Sequence, residues 1–540
     1  MKTFLAPLAP LSAAAAVLLT CLAAGCKKDS TEPDKPVTPP TSSTLVCTPA
    51  AERSDYSIFP KGSDGAGIGD MMPYFDAATN TMLVYYLKDV WNDGTNQRHP
   101  WYGLKTRDFR QFTELPAGEL LPSSAGSCAQ DRAIGTGCVM EKGGTYYAFY
   151  TGHNPNSGNC GHRKEGVMLA TAPSATQKFV KNAAFATIYV PTNQGFDESD
   201  NFRDPYVYRN ELSGEYDMLV AARRNNRGVL VRYTSADLLS WTYQGVAYDG
   251  GSTNFVMLEC PQLFKLGSKH YLLFSDITTR NMYYRKSDSP TGPWAEPSDA
   301  ARFEGAGFYA GKALVNTATG DAYMMAWVNR YQDNQDSGGW WWGGNLVTHK
   351  LSQTASGDLT VSLLPSLKTY LETQTEPLQQ VRRTATAARP DSNTWVLAGP
   401  ASGGPASVLF KPINQTRFKL SATVSYTDAT KDFGFALGAC DATNQFYSLR
   451  FVPSQNRFSF DRTNRNSLNA GTSPVADVPF RMQPNTNYTV DIVEENSVVV
   501  VYVNGVAALS SRIYKAPRTS WGIFADNSTA TFKNLTVTRP

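Results

Sequence analysis

Three carboxylates in this chain each stand just ahead of a short aromatic strand. The segments are Asp70-Met-Met-Pro-Tyr-Phe75, Asp204-Pro-Tyr-Val-Tyr208 and Glu259-Cys-Pro-Gln-Leu-Phe264. Each is followed by a turn and a second apolar strand: Met82-Leu-Val-Tyr-Tyr-Leu87, Tyr216-Asp-Met-Leu-Val220 and His270-Tyr-Leu-Leu-Phe274. One acid at the same register of three repeats is what a closed, repeating β-architecture would use to aim acids at one central spot. Paired carboxylates at such a spot can cleave a glycosidic bond, one protonating the leaving oxygen while the other attacks the sugar or activates water.

The elements that must hold these acids are strands. From about Tyr56 to Tyr370 strand follows strand, separated by Gly, Asn and Asp turns with little helical periodicity. The return strand recurs five times, as Leu83-Val-Tyr-Tyr-Leu-Lys88, Tyr146-Tyr-Ala-Phe-Tyr-Thr151, Tyr216-Asp-Met-Leu-Val-Ala221, His270-Tyr-Leu-Leu-Phe-Ser275 and Ala322-Tyr-Met-Met-Ala-Trp327. A spacing of roughly 50 to 70 residues is the period of propeller blades. An outer element echoes three times, in Thr106-Arg-Asp-Phe-Arg-Gln-Phe112, Thr234-Ser-Ala-Asp-Leu-Leu-Ser-Trp241 and Ser287-Asp-Ser-Pro-Thr-Gly-Pro-Trp294. The expected fold is all-β: a five-bladed β-propeller over 51–370, closed radially so that sheet edges are removed. A polar, irregular linker is expected over 371–390. Alternating strands such as Phe418-Lys-Leu-Ser-Ala-Thr-Val424 and the Asn504-Gly505 turn predict a β-sandwich over 391–540.

A chain of 540 residues calls for two folded domains. Its net charge of +3 and lack of a basic run exclude nucleic acid as the expected partner. The N-terminus reads as a processing segment, residues 1–25. Lys2 precedes an apolar run over 11–24 that ends Leu22-Ala-Ala-Gly-Cys26. That ending resembles the bacterial lipobox, which implies cleavage before Cys26 and acylation of its thiol and amine. The Pro, Ser, Thr and charge-rich segment over 26–50 then reads as an extended tether, and the location as the cell envelope, lipid-anchored at the outer membrane or cell surface. Of the remaining cysteines, Cys128, Cys138 and Cys160 are near enough in sequence for a disulfide pair, with the pairing left open. None of the cysteines has zinc-site spacing.

Arg203-Asp204-Pro205 followed by Glu259-Cys260-Pro261 resembles glycoside hydrolase family 32, the invertase, inulinase and levanase group. Gly135-Thr-Gly-Cys138, Tyr150-Thr-Gly-His153 and Trp342-Gly-Gly-Asn-Leu346 are similar to further segments of that family, in the same order. The resemblance implies Asp204 as transition-state stabiliser and Glu259 as acid/base, acting on fructose-containing oligo- or polysaccharides without cofactor or metal. The family's usual Trp-Met-Asn-Asp-Pro-Asn-Gly nucleophile motif is absent. Asp70, in Gly69-Asp-Met-Met-Pro73, is taken as nucleophile because it opens the first strand, as in divergent members with Gly-Asp-x-Met-Pro. Asp93, in Trp91-Asn-Asp-Gly94, is the other candidate, in a setting where a turn is the bland reading. Substrate contacts are assigned to Arg203, Asp131, Arg132, Trp101 and Trp342. The rival readings are a related five-bladed arabinan or xylan-side-chain glycosidase, a fructosyltransferase, and a surface glycan-binding lipoprotein without catalysis.

Overall fold

A computed structural model of the chain describes residues 55–90, 98–297, 302–336, 338–402, 404–440, 445–464, 476–514 and 519–540. The lipobox, Cys26, the tether and Asp93 lie outside the described residues.

Five antiparallel meanders follow one another. Their inner strands are Ile68–Asp76, Ala133–Lys142, Phe202–Arg209, Glu259–Leu266 and Phe308–Val315. The return strands are Thr81–Lys88, Thr145–His153, Tyr216–Arg224, Lys269–Asp276 and Ala322–Tyr331, at the places where the five apolar repeats occur. Each inner strand packs against the inner strand of the next meander, and the fifth packs against the first. That closed ring is the propeller arrangement expected from the repeat. A backbone pairing of Ile68 with Gly344 joins the first and last meanders directly. The return strands are buried on both faces, Thr81–Lys88 throughout its length, which is why they read as unbroken apolar runs. The outer echo is also a structural repeat. Thr106 accepts the Phe109 amide and Ser235 the Leu238 amide, and both apolar residues are buried at positive φ.

Every inner strand carries the same irregularity. Pairing with the return strand slips across two residues: Asp70-Met71, Gly135-Thr136, Asp204-Pro205, Cys260-Pro261 and Ala310-Gly311. Four of the five leading residues have left-handed backbone: Asp70 at φ 30°, Asp204 at 62°, Cys260 at 51° and Ala310 at 53°. Bulges of this kind kink a strand and re-aim its side chains. A non-glycine residue held at positive φ costs on the order of 1–3 kcal/mol, and such strain clusters at functional sites.

The second domain is one 13-stranded antiparallel network, in which the long strands Arg417–Cys440 and Ser520–Arg539 pair with each other and bend across two faces. Its core includes Phe433, Phe435, Leu449, Phe451, Ile523 and Phe532. The expected linker over 371–390 is corrected. After a short helix, Pro365–Leu371, the strands Gln374–Glu376, Gln380–Arg383 and Ala387–Asp391 are paired into the sandwich. Most of their residues are solvent-exposed, so they lack the apolar alternation by which a strand is recognised.

The two domains share a core. Val493, Val498, Val500 and Tyr502 of the sandwich belong to the same apolar cluster as Trp327 and Leu346 of the fifth meander. Buried polar groups cross the junction as well. Glu304 accepts from His349 at 3.0 Å and from the Ser510 amide at 2.6 Å. Glu495 accepts the amides of Ser57 and Phe59 at 2.8 Å each.

Candidate active site

The bulges deliver their side chains to one place. Asp70 Oδ2 accepts from Thr136 Oγ at 2.6 Å, and its Oδ1 accepts from the Trp327 indole at 3.0 Å. Thr136 is itself a bulge residue, on the second inner strand. Asp204 Oδ2 accepts the Cys260 amide at 2.9 Å, with the Cys260 thiol 3.7 Å away and that thiol 3.8 Å from Thr136 Oγ. Glu259 Oε1 accepts from Arg203 Nη2 at 2.6 Å and Nε at 3.1 Å, while Oε2 accepts from the Tyr309 hydroxyl. Tyr309 packs edge-on against Trp327, with ring centres 5.5 Å apart. The contacts run full circle, Asp70–Thr136–Cys260–Asp204 on one side and Asp70–Trp327–Tyr309–Glu259 on the other, with a residue from every inner strand.

One detail of the expected register is corrected. Asp70 and Asp204 are the leading bulge residues of their strands, but Cys260 fills that position in the fourth strand. Glu259 stands one residue earlier, in register with Arg203 and Tyr309. Two acids therefore leave the backbone at the kink and the third leaves it just before. This places Glu259 in hydrogen-bond contact with the arginine of its neighbour.

The electrostatics follow from burial and proximity. Burial pushes the Asp70 carboxyl up and the nearby Glu259 adds to this, opposed by hydrogen bonds from Thr136 and Trp327 and by the Lys312 charge. Lys312 is buried and donates to the Gly137 carbonyl at 2.8 Å. Asp204 is pushed up to about 7, first by burial and then by Glu259 and Asp70, against the pull of Arg203 and the Cys260 amide. A proton retained near neutrality therefore belongs to the interacting carboxyls together. Burial and the adjacent Asp204 push the Cys260 thiol well up, which makes it a neutral packing group and not a nucleophile.

A cavity of about 360 Å³ borders this cluster at Asp70 and Arg203, and its walls also include Arg132, Glu165, His99 and Trp342. That volume suits a small ligand held by a few convergent polar groups. Trp342 lies over Gly69, where a Cβ would come within 2.1 Å of its ring, and it forms a T-shaped pair with His99, ring centres 4.1 Å apart. Burial lowers the His99 imidazole to about 3, so it is neutral at working pH.

Asp70, Asp204, Glu259 and Arg203 are thus brought together, and Arg132 and Trp342 stand in the cavity wall. Two expected substrate contacts are corrected. Trp101 is fully buried among Tyr85, Tyr150 and Phe179 and donates to the Gly135 carbonyl at 3.2 Å, so it supports a bulge from behind. Asp131 is buried too, accepting from Tyr150 at 3.0 Å and pairing with Lys181 at 2.5 Å; its chemistry is spent within the fold. Reading from sequence missed Glu165, Tyr309 and Lys312. Tyr309 was within reach, because Tyr309-Ala310-Gly311 repeats the position of Glu259-Cys260-Pro261. Glu165 carries no such signal. Cys128 and Cys160 form a disulfide, and among the described residues Cys138 and Cys260 are buried free thiols.

A five-meander ring closed around three carboxylates, with a sandwich packed against it, defines the class as a propeller-and-sandwich protein. Comparison with known proteins gives the family. The N-terminal domain of glycosyl hydrolases family 32 matches residues 79–359, and the C-terminal domain of that family matches 378–539. The chain belongs to glycosyl hydrolases family 32. Asp204 and Glu259 fall within the first match, whereas Asp70 precedes it.

Among its relatives is a levanase of Bacillus sp. (strain L7), 24% identical over 445 residues, covering 77% of this chain and 46% of the relative. A sucrose-6-phosphate hydrolase of Escherichia coli is 27% identical over 217 residues, covering 37% of this chain and 43% of the relative. The chain thus spans less than half the length of these curated relatives. Among solved structures, fructan 1-exohydrolase IIa from Cichorium intybus superposes with a TM-score of 0.68 at 14% identity, covering 91% of this chain and 98% of that one. Exo-inulinase from Aspergillus awamori gives 0.66 at 14% identity, covering 90% and 98%. At these identities the likeness to the solved structures speaks for the fold.

Proposed function

We propose that this protein is a retaining glycosidase that cleaves β-fructofuranosyl linkages in fructans or sucrose-type oligosaccharides. The observation that carries this reading is the convergence of Asp70, Asp204 and Glu259, from three separate inner strands, on one cluster whose Asp70 and Arg203 stand in the wall of a sugar-sized cavity. Family membership and relatives named levanase and sucrose-6-phosphate hydrolase support the substrate class.

The chemistry follows from the geometry. Asp70, held by two hydrogen bonds that orient its carboxylate, attacks the anomeric carbon C2 of the fructosyl unit. Glu259 gives its proton to the departing oxygen, so the C2–O bond breaks as a fructosyl ester forms on Asp70. Positive charge developing on the ring is stabilised by the Asp204 carboxylate, whose hydrogen bonds to sugar hydroxyls tighten as that charge grows. Water then attacks C2, Glu259 takes its proton, and the Asp70 carboxylate leaves. Arg132 and Trp342 are assigned contacts to the sugar, Trp342 through its face and Arg132 through a guanidinium whose buried Nε has no protein partner. Interception of the ester by a second sugar instead of water would make the protein a fructosyltransferase.

Anchoring through an acylated Cys26 and the tether that follows it belongs to the same proposal, and would hold the catalytic domain at the cell envelope facing extracellular glycans. Incubation with sucrose, inulin, levan and arabinan, followed by product analysis, tests the activity. Free fructose, or fructose oligomers, is expected from at least one fructan or sucrose. Arabinose release would favour the related arabinan-type enzyme, and binding without turnover a glycan-binding lipoprotein. Mass spectrometry of the mature N-terminus tests the anchor, and an unmodified terminus away from Cys26 would refute it.

A further inference from the structure

A fourth carboxylate, Glu165, touches the cluster and takes no part in the proposed bond-breaking. Glu165 leaves the third strand of the second meander, Glu165–Ala172, and is buried in the cavity wall. Its Oε2 accepts the Phe202 amide at 2.8 Å and Arg203 Nη1 at 3.3 Å, and its Oε1 faces His153 Nδ1 at 3.3 Å. The same Arg203 guanidinium gives Nε and Nη2 to Glu259. One cation is therefore forked between two carboxylates, one of which must carry a proton for the proposed chemistry.

That requirement creates a conflict. A guanidinium bonded to a carboxylate from two nitrogens favours the ionised form strongly. Left to Glu259 alone, Arg203 would strip the proton that the leaving group needs. A second, permanently ionised carboxylate on the far side of the guanidinium reduces its net field at Glu259. Glu165 meets this description. Although burial raises its carboxyl, Arg203, His153 and the Phe202 amide together hold it down at about 2. Taking the site as the fructoside-cleaving centre proposed above, we infer that Glu165 is a positioning residue whose carboxylate shares Arg203 and so lets Glu259 act as the acid.

Glu259 is faced by Arg203, by Tyr309 from the fifth inner strand, and by Asp204 and Asp70. Arg203 is faced by Glu165, Glu259 and Asp204, with the Asn201 amide oxygen at 3.4 Å. Glu165 is faced by Arg203 and His153, and His153 lies near the neutral His99. Lys312 acts on Asp70 and Cys260 on the opposite side of the ring. Glu165 is thus the carboxylate that balances Arg203 without being part of the proposed bond-breaking.

The test is the pH profile of kcat/KM for Glu165→Gln against wild type, on sucrose or the preferred fructan and on an aryl β-fructofuranoside with a nitrophenolate leaving group. Removing the charge should move the basic limb to lower pH by about one unit, the size expected of one charge acting through a partly buried site. At pH 7 kcat/KM on the natural substrate should fall about tenfold. The loss on the aryl fructoside should be much smaller, since its leaving group needs no proton. Glu165→Asp, which keeps the charge with a shorter reach, should give a limb between the two. A basic limb that stays in place in folded Glu165→Gln, or an equal loss on both substrates, overturns the inference. Should Glu165→Gln not fold, Glu165→Asp decides by the same shift of smaller size, and an unmoved limb overturns the inference there too. A wild-type protein that releases no fructose from any fructoside overturns the underlying reading, whereas an active wild type with an unmoved limb in the variants overturns this inference alone.

Discussion

Replacing Asp204 by Asn should stabilise the protein while destroying its activity, and the stabilisation should grow with pH. An aspartate ordinarily ionises near 3.8, and Asp204 is pushed up to about 7 by burial and by its neighbours Glu259 and Asp70. Between those values the folded protein keeps a proton that the unfolded chain has lost. Stability therefore falls as pH rises through the window, with a slope of up to about 1.4 kcal/mol per pH unit. The deficit builds up across the window and no longer grows above pH 7, and because Glu259 and Asp70 take part in the shift it is shared among the three carboxyls. Asparagine carries no charge at any pH, and its carbonyl can still accept the Cys260 amide that Asp204 Oδ2 accepts at 2.9 Å. The variant should match wild type near pH 4 and exceed it in stability at pH 8. Urea unfolding of both proteins at half-unit intervals from pH 4 to pH 8 measures the difference, and kcat on the preferred fructan should fall by about 100-fold or more. Stability curves of the two proteins that run parallel would refute the reasoning, because they would mean that Asp204 carries no buried charge that the fold must oppose.

Further expectations concern the supports of the site. Gly69→Ala puts a methyl group into the Trp342 ring, 2.1 Å away, and should raise KM about tenfold by displacing that wall of the cavity; a KM equal to wild type would show that Trp342 does not bind the sugar. Glu304→Ala strands the Ser510 amide and His349 in the junction between propeller and sandwich, where Glu304 is 1% exposed, and should cost about 3–5 kcal/mol of stability by denaturant titration. The Cys260 thiol, buried and pushed well above its ordinary range, should resist iodoacetamide in the native protein at pH 8 and react once the chain is unfolded.

How much of this could be read from the chain depended on what repeats. The five return strands are buried on both faces, so each is a run of apolar and aromatic residues, and their period exposed the propeller directly. Asp204 and Glu259 could be singled out because each stands in a short motif, Arg-Asp-Pro and Glu-Cys-Pro. The bulge itself left a weaker trace. A two-residue slip with left-handed backbone has no fixed residue type here, since Asp, Gly, Asp, Cys and Ala occupy its leading position. The one-residue offset of Glu259 therefore stayed hidden. Glu165 was hidden for another reason. It begins the third strand of the second meander, and only the packing of that meander against the third brings it against Arg203. Trp101 and Asp131 were misassigned because residue type alone cannot tell a buried indole or a buried ion pair from one that faces a sugar. The strands within 374–391 escaped notice because an exposed edge strand of Arg, Gln and Thr carries no periodic signal.

The central claim is that Asp70 attacks the sugar while Glu259 handles the proton. Trapping of the covalent intermediate tests it most directly. Glu259→Gln should still be fructosylated by an aryl fructoside, which needs no acid, and should lose the base that hydrolyses the ester. Rapid quenching followed by peptide mass spectrometry should find one fructosyl unit on the peptide that contains Asp70, and none in the double variant Asp70→Asn, Glu259→Gln. An adduct on a peptide lacking Asp70, or an inverted anomeric product from the wild-type enzyme, would contradict the assignment.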